Sequence, residues 1–245
     1  RASESSSQQN LQVDHLIHTL LSEELKLYFQ RITTTLNNPN SSDAEIESVL
    51  NDVKITTGLQ ELVPFLVQYS VQILYETPNL RWLILRLVHN MLHNPHLHLE
   101  LHLHELVPTL LTTTLAQDLD DCQIREWSAT NLVRICYVYG DSYPTLSSRI
   151  LAALAQATSS SSSQQQQQQQ YGALVAFTKF GPRVLNSFAV PFIRDKYEQW
   201  DSVNQQAALT ALAVLFQDGT TTDWSDILGE VSMFTSTTEY ATCFI

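Results

Sequence analysis

Apolar residues along this chain recur at the three-and-four spacing of a helix, and polar turns interrupt that rhythm at regular intervals. Leu80, Leu83, Ile84, Leu87, Val88, Met91 and Leu92 form the cleanest stripe, wide enough to seat a helix on a core. Pro78-Asn79 before it and Asn94-Pro95 after it bound that helix on both sides. Ser22, followed by Glu23 and Glu24, predicts a capped start for a helix running through LKLYFQRITTTL and ending in NNPNSS. Ser42-Asp43-Ala44-Glu45 reads as a capping box for the next helix, to about Val53. Further pairs are predicted in the same way. ELVPTLLTTTL is followed, after an acidic turn (Asp118, Asp120, Asp121), by a helix bearing Ile124, Leu132, Ile135 and Cys136. SYPTLSSRILAALAQA pairs with YGALVAFTKFG, and RVLNSFAVPFIRDKYEQ with VNQQAALTALAVLF.

One phrase recurs in phase with these pairs. LVPFL at 62–66, LVPTL at 106–110 and AVPFI at 189–193 place Pro64, Pro108 and Pro191 at intervals of about one and two periods of ~44 residues. Leu80-Arg81 follows Pro64 at the same distance at which Ile124-Arg125 follows Pro108. A period near forty residues, with one helix pair in each, predicts an all-α fold, a right-handed α-solenoid of about five HEAT repeats. The repeats fall near 13–57, 58–94, 97–140, 143–181 and 182–217, within a domain spanning 13–218. Residues 1–12 are expected to be a disordered leader, and 219–245 a C-terminal extension with possible room for one capping helix at 223–234. Ser and Gln residues at 159–170 read as a loop inserted inside the fourth repeat, a glutamine-rich activation surface being the weaker reading. The last glutamines can continue the helix that carries Tyr171.

Composition narrows the class. The chain has 6 glycines in 245 residues, few for a fold that spends glycine on turns and phosphate loops, and it has no G-x-S-x-G, P-loop or G-x-G-x-x-G. With 13 Lys plus Arg against 25 Asp plus Glu, the net charge of -12 disfavours a phosphate backbone as ligand. No direct sequence-specific nucleic-acid binding, small-molecule substrate or membrane partner is expected. Cys122, Cys136 and Cys243 are unclustered, which suits the cytosol or nucleus better than a disulfide framework. The first residue is Arg1, and the chain reads as part of something longer.

Histidine is the one metal-like signal. His89/His93 and His98/His102 are i, i+4 pairs, but His104-Glu105-Leu106-Val107-Pro108 carries Pro where a zincin would need its second His. No acidic third ligand stands at a recognised spacing, so neither a metal nor any other cofactor is expected. Arg81 and Arg125 occupy equivalent positions, expected to be structural: bonded to acidic residues in the inter-helix turns, tying neighbours together. Pro64, Pro108 and Pro191 are the other structural repeat positions. Trp82, Arg86 and Asn90 face away from the apolar stripe, and Glu126, Thr130 and Arg134 are their counterparts one repeat on. Trp82, Arg86, Asn90 and Arg134 are the candidate partner-binding residues. Trp127 and Asn131, like Trp200 and Asn204, keep the W-x-x-x-N spacing with which armadillo import receptors hold peptide backbones. The ladder is broken, and Trp127 reads mostly as core.

SEELKLYFQRIT, LVHNMLHNPHLHLELHLHELVPTLL and IREWSATNLVRIC, followed by LSSRILAALAQA and YGALVAFTKFGPRVLNSFAVPFI, form a collinear set from about Val13 to Leu215. This set resembles the C-terminal domain of the TBP-associated factor 6 family, subunits of the general transcription factor TFIID. The resemblance implies a five-repeat HEAT domain in a nuclear, non-catalytic scaffold for RNA polymerase II initiation. Its partners would be other TBP-associated factors within TFIID or SAGA-like complexes. It also implies an upstream histone fold, which nothing in this chain matches. The alternative is an armadillo/HEAT-type peptide-binding adaptor of the nuclear-transport kind.

Overall fold

In the computed structural model, residues 21–116, 122–158 and 164–217 are described. They form ten helices in five consecutive pairs and, among the described residues, no strand. The leader, the start of the first repeat before residue 21, the acidic turn, the serines at 159–163 and the C-terminal extension lie outside them.

The first pair is α1 (Glu23–Asn37) and α2 (Asp43–Ile55). Ser22 Oγ accepts the Leu25 amide and starts α1, whose Phe29, Ile32 and Leu36 are buried along one face. At α2 the capping box is complete: Ser42 Oγ accepts from the Glu45 amide at 3.3 Å, and Glu45 Oε2 from the Ser42 amide at 3.0 Å. Those bonds hold the Glu45 carboxyl below its usual range. Gly58, at φ 83, then turns the chain through left-handed backbone that side-chain-bearing residues avoid.

The second pair is α3 (Val63–Glu76) and α4 (Arg81–His93); the third is α5 (Leu103–Thr114) and α6 (Cys122–Tyr139). Pro64 stands in the first turn of α3, where no intrahelical amide bond is lost. Its counterpart differs: α5 starts further upstream, after a 3-10 turn at Glu100–His102, so Pro108 falls inside the helix. The Pro108 ring leaves the His104 carbonyl without its helical donor. Buried threonines on the same helix satisfy themselves locally, Thr109, Thr113 and Thr114 each donating to the carbonyl four residues back.

The fourth pair is α7 (Pro144–Thr158) and α8 (Gln164–Phe180). Seven glutamines, Gln164–Gln170, lie within α8, so more than half of the tract expected to be a loop is helix. Tyr171 to Phe177 are all buried because α8 packs against α5, α6, α7 and α10. Gly172 makes that approach possible: a Cβ there would lie 1.9 Å from the Thr114 carbonyl oxygen.

The last pair is α9, residues 182–196, and α10 (Ser202–Gln217). α9 widens into a π turn at Leu185–Ala189, where the Val190 amide reaches back to the Leu185 carbonyl. Pro191 follows at once. It has no amide to give the residue 187 carbonyl, and the extra residue in the turn relieves its ring's clash with that carbonyl. The three repeated prolines therefore meet three different local solutions.

Successive second helices, α2, α4, α6, α8 and α10, pack each on the next, while the first helices cover them in a second layer. This is a solenoid with one continuous core, in which Ile84, Leu85, Leu87, Leu106, Ala129, Leu132, Leu174 and Phe177 are almost completely buried.

Candidate protein-docking face

The repeats are joined by polar side chains that reach main-chain carbonyls of a neighbouring helix. Asn94 Nδ2 donates to Val53 O at 2.8 Å and Thr56 O at 2.9 Å, pinning the end of α4 to the end of α2. Asn131, fully buried in α6, donates to Leu85 O of α4 at 2.9 Å. Asn204 of α10 donates to Gln167 O of α8 at 3.2 Å. The first-helix side has its own clamp, Gln60 exchanging two hydrogen bonds with the main chain of His98.

These contacts correct two expectations. Among the described residues, Arg81 makes no ion pair with an acidic turn residue, and the acidic turn before Arg125 lies outside them. Arg81 Nε donates to Leu74 O at 2.8 Å, and Arg125 Nη2 to Ala116 O at 2.9 Å, each capping the carbonyl end of the first helix in its own pair. Arg125, only 3% exposed, also donates to Gln168 O and so binds the third repeat to the fourth. The carbonyl ends of helices carry the negative end of the dipole, which offsets part of the cost of burying a guanidinium. Secondly, Asn131 and Asn204 of the W-x-x-x-N elements spend their amides on the preceding repeat. Neither is free to hold a peptide backbone, and the nuclear-transport reading is not supported.

The expected partner-binding residues lie on α4 and α6. Trp82 and Arg86 line a cleft of about 750 Å³ between the α1–α2 and α3–α4 turns. Arg86 forms an ion pair with Glu47 of α2. Asn90 donates to the Arg86 carbonyl of its own helix at 3.0 Å. Arg134 stands apart from that cleft, its guanidinium 5.4 Å from the ring centre of Tyr137. The four residues thus form two groups, not one.

What lies between them was not legible in the sequence. Trp127 is half-buried and meets Trp82 edge-on at 5.3 Å and His89 edge-on at 5.0 Å; His89 and His93 lie 4.1 Å apart. An aromatic seam therefore runs between α4 and α6, with Trp127 at its centre and not in the core. His89 Nδ1–H donates to Asn131 Oδ1 at 3.1 Å, an assignment that follows because the Asn131 amide nitrogen is already given to Leu85. Burial, then the neighbouring His93, hold His89 below the ordinary imidazole value, against the raising effect of Asn131; Lys54 and Arg134 lower it further. His93 Nδ1 donates to the His89 carbonyl at 2.8 Å. His102 and His104 both approach Glu105. No group of three or more metal-capable side chains occurs among the described residues. The face offers aromatic surface, cations and fixed amides, which suit recognition.

Residues 17–194 match the model of the TAF6 C-terminal HEAT repeat domain. The chain is 26% identical over 181 residues to transcription initiation factor TFIID subunit 6b of Arabidopsis thaliana, covering 70% of this chain and 34% of that protein. It is 27% identical over 201 residues to the SAGA complex/transcription factor TFIID complex subunit Taf6 of Schizosaccharomyces pombe, covering 77% and 43%. The fold matches the TAF6 C-terminal domain from Antonospora locustae with a TM-score of 0.65 at 25% identity, covering 80% of this chain and 98% of that one. The chain spans less than half the length of these two relatives.

Proposed function

Because the chain belongs to the TAF6 C-terminal HEAT repeat domain family, we propose that it is a non-catalytic scaffold which docks other TBP-associated factors during assembly of TFIID, and of SAGA-type coactivators, in the nucleus. The observation that carries this reading is the family match across the first four helix pairs and into the fifth, on a solenoid whose polar side chains are spent on joining repeats. Such a rod presents a long, fixed surface and needs no moving parts. The docking face is the layer of second helices at α4 and α6, with Trp82, Arg86, Asn90 and Arg134 contributing, since Trp and Arg are frequent hot spots.

The test is affinity capture of TFIID and SAGA-type subunits from nuclear extract on the tagged chain. Wild type is expected to recover them, and a Trp82→Ala, Arg86→Ala double variant to recover about tenfold less while melting nearly unchanged. Capture of import cargo in place of those subunits would overturn the assignment. Equal recovery by the double variant would move the docking face elsewhere.

A further inference from the structure

Three second helices pack side by side, and their C-terminal halves place basic groups in one row. Asn94 binds the end of α4 to the carbonyl end of α2, which brings Lys54 to the α2 side of the His89–His93 pair. Asn131 binds α6 to α4 next to His89, which brings Arg134 to the other side. Lys54 and Arg134 are both close enough to oppose a charge on His89. The row therefore reads Lys54, His93 with His89, Arg134. Lys179, exposed in the last turn of α8, stands in phase with it one repeat on.

This row is not neutralised within the described residues. No carboxylate lies within ion-pair distance of Lys54 or Arg134, whereas Arg86 has Glu47 and Arg31 has Asp52. Exposed apolar surface flanks it: Ile55 beside Lys54 is 69% exposed, and Tyr137 beneath Arg134 is 79% exposed. The arrangement is unusual for a chain of net charge -12, in which most of the surface repels anions and a basic row with apolar flanks stands out.

We propose that this row, on the C-terminal halves of α2, α4 and α6, binds an acidic segment of a partner protein that carries apolar or aromatic residues between its carboxylates. It rests on the scaffold reading and gives that docking face a ligand chemistry. Carboxylates would pair with Lys54 and Arg134, and the intervening apolar side chains would lie on Ile55 and Tyr137. A protein segment is favoured over nucleic acid because the surrounding acidic field opposes a continuous phosphate chain, while a short segment engages only the row.

The experiment uses the full chain and a fluorescein-labelled peptide of alternating Glu and Leu, followed by anisotropy at low salt. Expected is saturable binding that a Lys54→Glu, Arg134→Glu variant weakens about tenfold or more. A charge-matched control, Arg183→Glu with Arg194→Glu on the exposed face of α9, should stay within about twofold of wild type. Lys54→Glu alone, on an exposed side chain, keeps the test intact if the double variant melts early; it should weaken binding about threefold. Equal losses in the α9 control, or equal binding of labelled oligo-dT, would overturn the inference. In the capture experiment, recovery of TFIID subunits by wild type and equally by the Lys54 variant would defeat this inference and leave the scaffold reading standing. No recovery by wild type would defeat the scaffold reading itself.

Discussion

At the α4–α6 junction and again at the α8–α10 junction, a tryptophan and an asparagine four residues apart meet the preceding second helix. The asparagines do the same work: Asn131 takes the Leu85 carbonyl, and Asn204 the Gln167 carbonyl. The tryptophans part company. Trp127 lies inside α6, so its ring stands at the surface of the layer among Trp82 and His89. Trp200 precedes the first turn of α10 and is buried, its Nε1–H donated to Gln170 Oε1 at 2.9 Å and its ring against Phe192. Spacing decides where the asparagine points. Where the helix begins decides whether the tryptophan is half-buried or core.

The largest effect should come from closeness at the α8 junction. Gly172→Ala forces a Cβ onto the Thr114 carbonyl, which is backbone and cannot swing away. A loss of about 3 kcal/mol in urea melts is expected, and an unchanged midpoint would mean α8 sits farther from α5 than described. Next are the asparagines. Asn131→Ala removes one buried and one half-buried hydrogen bond to α4 and should cost about 2 kcal/mol, against about 1 kcal/mol for Asn204→Ala, whose bonds to Gln167 and Asp201 are only half-buried and where Asp201 still caps the main-chain amide. Reversed magnitudes would break the equivalence of the two junctions.

The tryptophans sharpen the contrast further. Trp200→Phe loses the donor to Gln170 and should cost about 1 kcal/mol. Trp127→Phe should cost about half of that, since its ring contacts survive and Phe replaces it edge-on. The smallest effect is in pH. Only the α4–α6 junction carries histidine, and His89 is held below its ordinary value of 6.5 chiefly by burial. The folded state therefore refuses a proton that the unfolded chain accepts. Its contribution is present above the ordinary imidazole value and falls away as pH drops through it. Melts of wild type should steepen in their pH dependence between about pH 7.5 and 5.5, and His89→Gln should flatten that slope. Identical slopes would mean that His89 is already solvated.

Local chemistry was legible in the sequence and tertiary chemistry was not. Ser22 and the Ser42–Glu45 box start helices by bonds that span three residues, so the pattern alone locates them. The helix pairs and their phase are likewise visible, because each buries a stripe that recurs in the sequence. The position of Pro108 inside its helix was not legible, because the start of α5 depends on the 3-10 turn before it. Arg81 and Arg125 were recognised as equivalent, yet their acceptors are carbonyls presented by packing, which no side-chain pattern records. Trp82, Arg86, Asn90 and Arg134 were singled out by periodicity on their own helices. Lys54, His89 and Trp127 join the face only because Asn94 and Asn131 bring three helices together.

The glutamine run in α8 has a consequence for how this protein can change. Gln167, Gln168 and Gln170 carry the contacts to Asn204, Arg125 and Trp200, and all three are counted back from Tyr171. A copying error that adds or drops one codon in such a run leaves glutamine at each of those places, because every neighbour in the run is the same residue. The length change is passed upstream to the first turn of the helix. The tract can therefore lengthen or shorten between generations while the junction it feeds keeps the same wiring, a tolerance that a mixed sequence of the same helical propensity would lack.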